Sequence, residues 1–242
     1  MEGEFTPDCK GAKERADEIL LSPFIKNTFP SDCFDLVEKL ASEIAIKILP
    51  FSWIEEHGMK VEDVVHSDDA ETFEQGGRYI IFYNQGFQKP RTDFGIMHEI
   101  GHIYNGHDME ILTKYRKTKD ARLERLYKKC EAEANRFAAE LLMPESILRR
   151  LQELGCHIDV AFLQRAFGVS AQAAQISIDN LKRSANKSVS YWEKDASLDD
   201  AILLKFKAFI ERNAPRRKSY TEELECDLAM QAERDSWLAY GW

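Results

Sequence analysis

The run His98-Glu99-Ile100-Gly101-His102 constrains this chain more than any other feature. Two histidines four residues apart share one face only on an α-helix, where positions i and i+4 stand one above the other. The stretch is therefore expected to be helical, with both imidazoles aimed at one point. Glu99 leaves the helix about 100° round from His98, too far to share that point comfortably but well placed to touch a water held there. Two neutral nitrogen ligands and an adjacent general base open the part list of a mononuclear zinc hydrolase, which needs one more ligand and one free coordination position. In such a site the ion brings the pKa of its water down to roughly 7, and a neighbouring carboxylate takes the proton and later hands it to the leaving amine.

The flanking residues agree with a helix. Thr92 or Asp93 can cap its start, with Pro90 just upstream, and Asn105-Gly106 reads as its stop. Phe94, Met97, Ile100 and Ile103 form an apolar stripe. Gly101 costs about 1 kcal/mol inside a helix, so it predicts the close approach of a neighbouring strand or helix.

Two residues compete for the third ligand position. Asp108 lies six residues beyond His102, close to where a metzincin places its ligand, although Asn105, Gly106 and His107 do not match that pattern's register. Glu131 opens the stretch Glu131-Ala132-Glu133-Ala134-Asn135-Arg136-Phe137-Ala138-Ala139-Glu140-Leu141-Leu142-Met143-Pro144. Its apolar and alanine positions recur at helical spacing and Pro144 ends it. A helix of small residues can pack tightly on the His98 helix and aim a glutamate at the metal. Asn135, one turn further on, could then hydrogen-bond the second nitrogen of a ligand histidine.

These segments carry a resemblance. Together with Arg78-Tyr79-Ile80-Ile81-Phe82-Tyr83-Asn84 and Arg91, the His98–His102 motif and the Glu131–Pro144 stretch resemble the ImmA/IrrE family of zinc metallopeptidases, over roughly residues 35 to 183. The resemblance implies an α+β fold with a zincin-like, gluzincin-type core: a small β-sheet, an active-site helix and a helical C-terminal extension. It implies one zinc ion per chain, with Glu131 as third ligand ahead of Glu133. It also implies a protein substrate, a DNA-binding helix-turn-helix repressor whose cleavage relieves repression of phage, mobile-element or stress genes.

Composition limits the alternatives. No run approaches the roughly 18 apolar residues of a membrane span, and the acidic start Met1-Glu2-Gly3-Glu4-Phe5 lacks a signal peptide's basic and apolar regions, so a cytoplasmic protein is expected. The five cysteines are odd in number and scattered, with no Cys-x-x-Cys pair, which argues against a disulfide framework or a cysteine zinc site. Cys130, beside Glu131, is read as a small buried side chain. A net charge of −9 argues against strong nonspecific binding to nucleic acid. Lys114–Lys129 runs against it, with eight Lys/Arg beside Asp120 and Glu124, and reads as a solvated helix face.

Three regions are expected: an N-terminal tail and short helix over 1–30, a metallopeptidase domain over 31–184, and a linker with a helical extension over 185–242. Residues 1–11 read as disordered and 13–21 as a short helix. A helix capped by Asp32 is predicted over 33–49, and strands over 58–65 and 77–83 joined by a polar turn. The 77–83 strand or its neighbour would bind substrate backbone by strand addition. Helices follow at about 145–154, 159–167, 171–183, 199–213 and 220–240. Phe167-Gly168-Val169-Ser170 resembles the turn of a helix-turn-helix, but the residues after it are poor in basic and amide groups, so it reads as packing.

The motif points first to a zinc endopeptidase. Tyr83, Tyr104 and His107 are candidates to face the developing oxyanion. The rival is a non-catalytic, zinc-stabilised regulator that binds a repressor or toxin partner, against which Glu99 argues, because a binding-only site needs no base.

Overall fold

The structure, a computed structural model, describes residues 6–29, 33–41, 44–185, 196–215 and 228–234. Asp32, Tyr191, Trp192, Cys226 and most of the predicted 220–240 helix lie outside the described residues.

Helix α1 (Cys9–Leu21) starts where disorder is expected. Asp8 caps it, its carboxylate accepting from the Gly11 N–H at 2.9 Å. The predicted 33–49 helix is split: α2 (Cys33–Leu40) ends early, and strand β1 (Ile46–Pro50) follows. The apolar spacing suits a helix, yet residues 46–50 pair in parallel with a strand more than thirty positions away, Ile46 opposite Tyr79 and Pro50 opposite Tyr83. Partner packing decides strands more than local preference does. Two short helices, α3 (Phe51–Glu56) and α4 (Val61–Val64), come next. The expected 58–65 strand is therefore absent, and Val65 instead packs with Leu49, Phe51, Ile54 and Phe82 in a small second core.

The hairpin lies one segment later. Strands β2 (Ala70–Gln75) and β3 (Arg78–Tyr83) pair antiparallel around Gly76-Gly77, both at positive φ as a two-residue hairpin turn requires. The sheet order is β1-β3-β2. The 77–83 strand is thus the middle strand, with no free edge for strand addition; its neighbour β2 is at an edge.

Helices α5 (Lys89–Tyr104), α6 (Met109–Thr118) and α7 (Glu124–Leu142) follow the sheet. α5 begins earlier than the Thr92 or Asp93 cap implies, with Pro90 in its first turn, where a missing N–H costs nothing. It crosses α7 at Gly101. A Cβ there would lie 3.0 Å from the Ala134 carbonyl oxygen and 3.1 Å from its Cα, so the glycine is the contact its sequence position predicts. α8 (Glu145–Glu153), α9 (Val160–Phe167) and α10 (Ala171–Ala185) match the expected helices closely.

The predicted 199–213 helix breaks at Phe206 into α11 (Ala196–Lys205) and α12 (Lys207–Asn213). Phe206 and Phe209 join Phe29 and Phe167 in an edge-on aromatic cluster, with centroids 5.0 to 5.6 Å apart. Ala12 and Ala16 of α1 are fully buried in the main core, with Ile202 of α11. Both α1 and α11 therefore belong to the core from which the sequence reading set them apart as tail and extension. The result is a mixed, helix-rich α+β fold with one three-stranded sheet, and no described helix is long and apolar enough to cross a membrane.

Candidate metal centre

α5 buries Met97 and Ile100 completely and thereby turns His98 and His102 together toward α7. Their Nε2 atoms lie 3.0 Å apart. Glu131, reaching from α7, brings one carboxylate oxygen to 3.2 Å from His98 Nε2 and the other to 3.5 Å from His102 Nε2. Ligands about 2.0–2.1 Å from a tetrahedral ion stand roughly 3.3 Å from one another, so these three groups fit the face of such a site. Glu99 also lies close, its oxygen and the two histidine nitrogens being mutually within 4.8 Å. Its carboxylate has other partners, however: Oε2 accepts from the Thr72 N–H at 2.9 Å and Oε1 from Arg116 at 3.1 Å. His98, His102 and Glu131 could hold a metal ion, leaving Glu99 beside it.

The site opens by degrees. His102 is sealed, while the His98 and Glu131 side chains are 13 % and 24 % exposed. They form one wall of a cavity of about 300 Å³ lined also by Arg116, Tyr127, Asn135 and Gln172. Asn135 Oδ1 lies 3.1 Å from His98 Nδ1, so an Nδ1–H donates to it while Nε2 faces the site. Ser170, just before α10, and Gln172 inside it also line the cavity, while Phe167 and Val169 of the helix-turn-helix-like turn pack in the main core, as expected.

Charge is distributed unevenly here. Burial alone would raise the Glu99 carboxyl, but the Arg116 guanidinium and the two imidazoles hold it below its ordinary range. Glu131 is likewise driven far down, against its burial, by hydrogen bonds from both histidines. Burial pushes His102 down to about 4, keeping it neutral as a ligand must be. Burial and Glu131 push the Tyr127 phenol up to about 12.

Other expected residues lie elsewhere. Asp108 is exposed and caps α6, accepting from the Ile111 N–H at 3.1 Å. Tyr83 sits edge-on to Phe34, and Tyr104 stacks on Phe137 and lines a separate groove. Neither lines the cavity. His107 stands behind His102, its Nδ1 2.8 Å from His102 Nδ1 and its Nε2 2.7 Å from Glu133, so it does not face an oxyanion. Burial pushes the Cys130 thiol up to about 11, as for an inert buried cysteine.

Arg116 is the residue the sequence reading missed. It sits inside the basic run but is turned inward, contacting Glu99, Glu131 and Glu71. Nothing local separates it from its exposed neighbours Lys117 and Lys114.

Residues 53–179 match the model of the peptidase family described as the IrrE N-terminal-like domain (Peptidase_M78), over just more than half of the chain. The chain belongs to this family. In this M78 member the matched segment runs from α3 into α10 and contains the His-Glu-x-x-His motif, Glu131 and the cavity walls. No curated protein matches the chain, and no solved structure does.

Proposed function

We propose that the protein is a zinc-dependent endopeptidase with a gluzincin-like core, acting in the cytoplasm on a helix-turn-helix repressor. The observation that carries the reading is the convergence of His98, His102 and Glu131 on one point, with an ionised Glu99 beside it. Membership of a peptidase family supports the reaction class.

In this reading His98, His102 and Glu131 hold one zinc. The ion would supply Lewis acidity to a scissile carbonyl and acidity to a water. Glu99 takes that water's proton and returns it to the leaving amine, for which a carboxylate held ionised at neutral pH is suited. Arg116, fixed by Glu99 and Glu71, places a positive charge beside the carbonyl oxygen as negative charge develops there. Substrate lies in the cavity between β2 and α10. β2 is at an edge of the sheet, but Ala70, Glu71 and Thr72 are buried and Thr72 gives its N–H to Glu99, so an extended peptide could add only along its outer half, Phe73 to Gln75.

The test compares cells expressing wild type with cells expressing Glu99→Gln and maps newly formed protein N-termini by mass spectrometry. A DNA-binding repressor cleaved only with wild type is expected. If both give the same termini while wild type carries zinc, the peptidase reading fails and the non-catalytic regulator takes its place.

A further inference from the structure

His102 is joined to the start of the chain by an unbroken line of hydrogen bonds. His102 Nδ1 lies 2.8 Å from His107 Nδ1, His107 Nε2 lies 2.7 Å from Glu133 Oε2, and Glu133 Oε1 accepts from the Asp8 N–H at 2.6 Å. A contact between two ring nitrogens needs one donor and one bare acceptor, so the protons along this line are not independent. If His102 gives Nε2 to a metal, its proton sits on Nδ1 and it donates to His107. His107 Nδ1 must then be bare, its proton sits on Nε2, and it donates to Glu133. Both oxygens of Glu133 are thereby engaged, the second by backbone of the residue that caps α1.

We propose that His107 and Glu133 are positioning residues that hold His102 in its Nδ1–H tautomer, and that the start of α1 completes the metal centre. The inference rests on the metal reading above but not on peptide hydrolysis. A carboxylate commonly orients a ligand histidine directly; here a second histidine is interposed, which extends the line to a helix outside the family-matched segment. A second tie runs alongside it. Arg15 of α1 donates to Asn105 Oδ1 at 2.7 Å, and Asn105 Nδ2 donates to the Gly101 carbonyl at 2.7 Å, bracing the end of α5 that carries His102.

The experiment uses the full chain and zinc alone. Zinc affinity is measured by competition with a chromophoric chelator for wild type, His107→Phe and His107→Gln. Phenylalanine fills the space but accepts nothing from His102, so affinity should fall about 10–100-fold. Glutamine offers one acceptor and one donor as the neutral imidazole does, so His107→Gln should restore most of it. Nitrogen-15 NMR of the zinc-loaded wild type should place the proton of His102 on Nδ1 and that of His107 on Nε2. This readout needs no variant and stands even if His107→Phe does not fold. A His107 proton on Nδ1, or a folded His107→Phe that binds zinc as wild type does, overturns the proposal and leaves the metal reading intact. A wild type that binds no zinc overturns both.

Discussion

Glu131 and Glu140 sit nine residues apart on α7, on opposite sides of the helix, and meet opposite electrostatic fates. Glu131 lies at the edge of the cavity against two imidazoles, which drive its carboxyl far below the ordinary range despite burial. Glu140 points into the closed core facing α1 and α8, and burial raises it. Its surroundings hold Lys13, Arg136 and Arg149 against Asp17, Glu140, Glu145 and Asp199. Among the described residues these pairs bring three cations to four carboxylates, and burial raises two of the carboxyls, Asp17 and Glu140. Asp17, whose buried Oδ1 has no hydrogen-bond partner among the described residues, is pushed up to about 8 by burial and by Glu140 against the pull of Lys13. The contrast teaches that the charge balance of the neighbours, and not burial by itself, sets which carboxylate on this helix is ionised.

The sharpest way to break this comparison is to remove the open-side carboxylate. Glu131→Ala should lose zinc outright, read by elemental analysis, while its apo form melts close to wild type. Glu99→Gln should keep zinc and lose peptide hydrolysis by about 10²–10⁴-fold, the range of a lost general base. If Asp108→Ala releases the metal and Glu131→Ala does not, the ligand assignment falls.

Next in size is the helix crossing that supports both faces. Gly101→Val would press its side chain on backbone of α7 and should destabilise the fold by about 1–3 kcal/mol, measured by denaturant unfolding. A neutral result would mean that α5 and α7 can separate without cost.

The closed side should reveal itself through pH. A carboxyl raised from 3.8 to about 8 on folding makes the native state bind more protons than the unfolded chain across that window. Its contribution to stability is full below about pH 4 and is lost as pH rises through about 8. Asp17→Asn, which keeps an acceptor for Lys13, should flatten the fall between about pH 4 and 8 in thermal melts. An unchanged slope would mean that the Asp17 carboxyl is not raised on folding. The smallest effect belongs to the exposed basic run: Lys128→Ala, which loses only a surface pair with Glu124, should alter neither melting nor zinc content.

Much of the candidate site was legible because its spacing is local. The i, i+4 rule alone puts His98 and His102 on one face, and the small residues after Glu131 announce a helix able to approach closely, with Gly101 as the mark of where. Helices α8 to α10 were equally plain, being bounded by Pro144, by Asp159 and by Gly168 in a left-handed turn. β1 was not, since Ile44 and Ile48 also continue the i, i+3, i+4 apolar face that runs from Phe34 through Val37, Leu40 and Ala41, and only pairing with β3 selects the strand alternation of Ile44, Ile46 and Ile48. Arg116 was not, since the seven other cations of the Lys114–Lys129 run share its composition and only the fold turns it inward.

What the sequence determined by itself were those features carried by short-range geometry: the helix of the His-Glu-x-x-His motif, the face that His98 and His102 share, and the family to which the motif points. Tertiary structure decided which distant groups complete them. The approach of Glu131 to both histidines, the inward turn of Arg116, and the line from His102 through His107 and Glu133 to Asp8 all join segments far apart in the chain. Such contacts depend on packing between elements, which periodicity along one element does not encode.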